Sequence, residues 1–109
     1  MGKRMRDVQA ANLYLNVSEK DFQRDVVTAA KMLGWTVFST FRSDHSPKGE
    51  PDLRMVHPQK KRIIWAELKS ESGKLTPDQE LAIGVICGAG GEVYVWRPSD
   101  MDFIIGVLG

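Results

Sequence analysis

A chain of 109 residues with 42% hydrophobic and 27% charged side chains has the size and make-up of one globular domain, able to bury about two-thirds of its unfolded surface in a single core. Its formal net charge of +1, from 15 Lys and Arg against 14 Asp and Glu, neither requires nor excludes a nucleic-acid partner, because binding follows where cations cluster. No apolar run approaches the roughly 20 residues of a membrane span, the basic start Met1-Gly2-Lys3-Arg4-Met5-Arg6 lacks the apolar stretch of a signal peptide and the Ser or Thr of a myristoylation signal, and Cys87 stands alone, so the expectation is a soluble protein in a reducing, cytoplasmic setting.

Residues 1–17 show no sustained period and read as an N-terminal arm, with Leu13, Leu15 and Val17 hinting at a short alternating segment around Tyr14. The domain proper is expected over residues 18–109. Ser18 has the character of an N-cap, with Asp21 three residues on; the helix it opens carries the apolar stripe Phe22, Val26, Ala29, Ala30 and Leu33 and closes at Gly34. The β-branched and aromatic run Trp35 to Phe41 predicts a first strand, followed by a polar loop from Arg42 to Pro51. Asp52 to Val56 reads as a short second strand, and the turn residues His57-Pro58-Gln59-Lys60 lead back into a third strand ending near Lys69, so that the two form a hairpin.

Beyond a second loop, Ser70 to Leu75, the tetrad Thr76-Pro77-Asp78-Gln79 supplies a cap, a proline at the first helical position and a capping-box Gln; the helix runs to about Gly88. Gly90-Gly91 turn the chain into a fourth strand, Glu92 to Arg97, and Pro98-Ser99-Asp100 open a last helical segment toward Leu108. The order α-β-β-β-α-β-α predicts an α/β fold with a small mixed sheet flanked by helices.

The third strand carries the chemistry. Its period of two sends Glu67 and Lys69 to one face and Ala66 and Leu68 to the other. Charges at the end of a core strand are costly to bury unless they are paired or bind a metal. Asp52, at the head of the neighbouring strand, would stand beside Glu67 in a paired hairpin. Two such carboxylates suit Mg²⁺, with water and phosphate oxygens filling the remaining positions, and the absence of a Cys or His cluster argues against zinc. By itself Asp52 is better read as a turn residue capping its own backbone, and it is the company of Glu67 and Lys69 that reverses that reading.

The other polar residues each have two readings. Lys69 can hold a water or a scissile phosphate, or pair with Glu67 or Glu71. Glu19 can lean over the site from the first helix, or serve the helix dipole. Gln79 can bind water or phosphate, or close the capping box. The loop Arg42 to Gly49 offers cations, hydroxyls and amides of the kind that hold phosphate, although without P-loop spacing. Within it His45 is more simply an exposed residue. Trp35, Trp65 and Trp96 read as core.

Taken in order, these residues resemble the VRR-NUC family of the PD-(D/E)xK nuclease superfamily. The resemblance runs from Ser18 to about Leu108 through Glu19 and Gln23, Gly34-Trp35, Gly49-x-Pro51-Asp52-Leu53, Glu67-Leu68-Lys69, Leu75-Thr76-Pro77-x-Gln79, Gly90-Gly91 and Val95-Trp96-Arg97-Pro98. It implies a restriction-endonuclease-like core and Mg²⁺- or Mn²⁺-dependent hydrolysis of DNA phosphodiester bonds. Asp52 and Glu67 would be metal ligands with the Leu68 carbonyl, Lys69 the catalytic lysine, Glu19 a further carboxylate acting directly or through water, and Gln79 its polar support. Arg42, Lys48 and Lys74 are candidate DNA contacts. The chain looks like the small stand-alone members found in bacteria and viruses, which implies a bacterial or virus-infected cytoplasm, a branched-DNA substrate such as a Holliday junction, and a two-fold homodimer that makes paired cuts. The alternatives are a less selective nicking or flap nuclease and a non-catalytic DNA-binding subunit that keeps the fold.

Overall fold

Ser18 Oγ accepts a hydrogen bond from the Asp21 backbone N–H at 3.0 Å and opens helix α1 (Glu19–Met32), whose first turn holds Glu19 and Asp21 at the positive end of the helix dipole. The stripe predicted from spacing turns Phe22, Val26 and Ala30 inward, and all three are buried. Gly34 ends the helix at φ 93°. A Cβ at Gly34 would lie 2.9 Å from His57 Nε2, so both backbone conformation and close approach favour glycine. This computed structural model describes residues 13–40 and 48–109; Arg42, His45 and the first part of the N-terminal arm lie outside the described residues.

Four strands follow: β1 (Thr36–Ser39), β2 (Leu53–His57), β3 (Arg62–Leu68) and, after helix α2 (Pro77–Gly88), β4 (Glu92–Trp96). They form a single mixed sheet in the order β1-β2-β3-β4, with β1/β2 and β2/β3 antiparallel and β3/β4 parallel. The hairpin expected between the second and third strands is present, in a register that pairs Leu53 with Ala66 and Arg54 with Trp65. A 3₁₀ turn (Pro98–Asp100) and helix α3 (Met101–Leu108) complete the chain.

Three boundaries differ from the sequence reading. Trp35 precedes β1 because its ring is buried and its Nε1 donates to the Leu108 carbonyl at 2.8 Å, which ties it to α3 instead of the sheet. β3 ends at Leu68, one residue before the expected Lys69, while Lys61 holds the turn ahead of it at φ 54°. The alternation around Tyr14 does not make a strand: residues 13–14 are helical, and the Val17 N–H bonds back to the Tyr14 carbonyl at 3.2 Å, closing a turn.

The sheet has two unlike faces. On one, Leu53, Met55, Ile64, Ala66, Leu68 and Trp96 pack against Phe22, Val26 and Ala30 of α1 and Ile104 and Leu108 of α3, forming the core. On the other, α2 covers the β3–β4 side, buries no residue completely and leaves Leu81 68% and Val85 64% exposed. At its start α2 rests on the chain before β2, where a Cβ on Gly49 (φ 88°) would come within 2.2 Å of the Asp78 carbonyl oxygen. Among the described residues no helix is long and apolar enough to cross a membrane.

Candidate active site

The carboxylates of Asp52 and Glu67 meet because of hairpin register. Leu53 pairs with Ala66, so the preceding and following residues, Asp52 and Glu67, occupy the next row and project to the opposite face from the core. Asp52 is held from both sides: Thr40 donates its N–H to the Asp52 carbonyl at 2.8 Å and its hydroxyl to the Pro51 carbonyl at 2.6 Å. The Asp52 side chain bonds across the hairpin instead of back to its own turn, with Oδ2 accepting from the Leu68 N–H at 2.8 Å. In an extended strand a residue's N–H and C=O point the same way, so the Leu68 carbonyl faces the Asp52 side as well.

Glu67 is the buried carboxylate of the site. It is 1% exposed; Oε1 accepts from Gln79 Nε2 at 3.2 Å, and Oε2 is buried with no partner. Burial pushes its carboxyl up to about 8, and the neighbouring Asp52 carboxylate and the charge of Glu19 push the same way, against the pull of Lys69. Carboxylates packed this closely cannot both ionise freely without a compensating cation.

Lys69, Glu19 and Gln79 stand close enough to act on this pair. Lys69 continues β3 beyond Glu67, its N–H donating to the Trp96 carbonyl at 3.0 Å. Among the described residues it forms no ion pair with Glu67 or Glu71; Glu71 instead accepts from the Ser99 N–H at 3.0 Å and hydroxyl at 2.7 Å. Glu19 is exposed on α1 yet close enough for its charge to act on Glu67. Gln79 closes the capping box, Oε1 accepting from the Thr76 N–H at 2.9 Å, and its Nε2 donates to Glu67 Oε1 at 3.2 Å. Lys48 and Lys74 are exposed, and Arg42 lies outside the described residues.

Sequence reading missed how Arg97 works. One nitrogen of its guanidinium donates to the Ser70 carbonyl at 2.7 Å and the Gly73 carbonyl at 2.6 Å, pinning the loop that joins Lys69 to the helix of Gln79. Nothing local in the sequence shows that link across more than twenty residues, although Arg97 stands within a recognisable motif. Trp35 and Trp96 are core as expected, whereas Trp65 is half-buried on the α2 face.

The donors present fit a hard divalent cation. Among the described residues no three His, Cys, Asp or Glu side chains converge, so the protein offers two carboxylates and the Leu68 carbonyl. A cation that keeps most of its shell as water or phosphate oxygen needs no more, and the unpartnered Glu67 Oε2 is an acceptor without a donor.

The model of the VRR-NUC domain matches residues 6–100 of the chain. A solved structure described as a VRR_NUC domain is similar at TM-score 0.70 and 26% identity, covering 81% of this chain and 94% of that chain. No curated protein matches it. With the family match spanning most of the sequence and the same fold found in a solved member, the chain belongs to the VRR-NUC family, a family of nuclease-type domains.

Proposed function

We propose that this DNA nuclease is a metal-dependent, structure-selective endonuclease that resolves branched DNA such as Holliday junctions. The observation that carries the metal-dependent part is Glu67: buried, raised to about 8, and carrying an unpartnered Oε2 beside Asp52. Asp52, Glu67 and the Leu68 carbonyl would hold Mg²⁺ or Mn²⁺, which when bound acidifies a water and stabilises charge on the phosphate. Lys69 would hold the attacking water and offset charge on the scissile phosphate. Gln79 fixes the Glu67 carboxylate, and Glu19 adds negative potential at the mouth of the site. Lys48, Lys74 and Arg42 are the proposed phosphate contacts.

Paired cuts in a four-way junction need two sites related by a two-fold axis, which a homodimer supplies. The exposed Leu81 and Val85 on α2 support this reading, since a helix apolar on two sides is usually covered on both. The test incubates the protein with labelled four-way junction, flap and linear duplex in Mg²⁺, Mn²⁺ or chelator, beside Asp52→Asn. Paired, metal-dependent cuts confined to the junction and lost in the variant are expected. Equal cutting of flap or duplex would leave a general nuclease, and absence of any cleavage with binding intact would leave a DNA-binding subunit.

A further inference from the structure

Beside the row that holds Asp52 and Glu67, the same face of the sheet carries a second row whose purpose the core does not explain. Phe38 pairs with Arg54 and Arg54 with Trp65. Residues directly opposite one another share a face, so all three project to the Asp52–Glu67 side. The two rows lie two residues apart along β2, about 6.8 Å, or roughly two B-form base steps. Phe38 is 48% exposed, Arg54 is exposed, and the guanidinium carbon lies over the ring at 5.0 Å from its centroid. Beyond Trp65 the face opens into a groove of about 640 Å³ lined by Ile63, Trp65, Val85 and Ile86, with Lys61 at its rim.

We propose that this row is a stacking site for unpaired nucleotides adjoining the scissile phosphate, with a base lying on the Phe38–Arg54 pair. The inference rests on the nuclease reading above and adds the feature of the substrate that the protein grips. Charge favours a nucleic-acid strand over a second protein. Apart from Asp52, Glu67 and Lys69 of the site itself, the ionic side chains here are Arg54 and, lining the groove, Lys61, Arg62 and Glu92, and the Glu92 carboxylate is taken up by Arg62, whose Nε donates to it at 3.1 Å. Aromatic and guanidinium planes bind bases without regard to sequence. Such a site favours DNA that presents unpaired bases beside a duplex, as at a flap or an opened branch point.

The test is binding of fluorescein-labelled dT₁₂ and of a blunt duplex, followed by anisotropy in chelator so that catalysis plays no part. Phe38→Leu keeps the apolar contact and removes the π-face; it is expected to weaken dT₁₂ about tenfold and leave duplex affinity unchanged, while Phe38→Trp restores dT₁₂. Arg54→Gln should weaken dT₁₂ and reduce its salt slope by about 0.7. Thermal unfolding confirms that each variant folds. Equal dT₁₂ affinity in Phe38→Leu would overturn the proposal, and so would a loss accompanied by a fall from dimer to monomer in light scattering, which would mark a protein interface. Metal-dependent cleavage by the parent protein is scored separately, so failure of the catalytic reading shows as lost cleavage with the dT₁₂ contrast intact.

Discussion

Gln79 bonds in two directions at once, accepting from the Thr76 N–H at 2.9 Å through Oε1 and donating to Glu67 Oε1 at 3.2 Å through Nε2. The start of α2 and the most buried carboxylate of the site are therefore one mechanical unit. Gln79→Ala should lose about 1 kcal/mol of stability with the capping interaction and slow cleavage. Gln79→Glu keeps an acceptor for Thr76 but sets a second carboxylate against Glu67. Thermal unfolding beside single-turnover cleavage should show stability recovered and rate not.

The raised carboxyl of Glu67 fixes the sign of a pH effect. Its folded value of about 8 lies above the ordinary 4.5, so between those values the folded protein holds a proton that the unfolded chain has released. Stability of the metal-free protein should fall as pH rises through that window. Glu67→Gln, which cannot ionise, should be the more stable of the two at pH 9 and should not cleave. In the parent, added Mn²⁺ should raise Tm more at pH 9 than at pH 6, because the cation needs the charged form.

Asp52 has a structural and a chemical part that two substitutions separate. Asp52→Asn retains an oxygen for the Leu68 N–H, so its Tm should stay close to the parent while cleavage falls about 10³-fold. Asp52→Ala leaves that N–H without its partner and should cost a further 1–3 kcal/mol or so in urea unfolding.

Arg97 acts at a distance from the reacting groups by holding the loop that joins Lys69 to α2. Arg97→Lys keeps the charge but loses the planar donor fork. Cleavage should drop mainly in kcat with KM little changed, together with a stability loss of about 1–2 kcal/mol.

The legible parts of this fold were those written in adjacent residues. Ser18 and Thr76 announce their helices because a hydroxyl three residues before a free N–H is a local arrangement, and both caps form. Asp52 and Glu67 could be brought together because a short turn fixes hairpin register. The parallel pairing of β4 on β3, the bond from Trp35 to Leu108 and the reach of Arg97 all depend on where distant segments come to rest. The face taken by Phe38 was illegible for a related reason: β1 is an edge strand, and which of its sides meets the core is decided by its pairing with β2.

Thr40 grips the chain on the far side of residues 41–50, at Pro51 through its hydroxyl and at Asp52 through its N–H. These bonds close the base of the intervening stretch independently of what the stretch contains. Lengthening it adds closure entropy only as the logarithm of its length, about 0.6 kcal/mol per doubling. Thr40 therefore ties Asp52 directly to the end of β1, so the position of this carboxylate is set by the sheet and not by the length of chain between them.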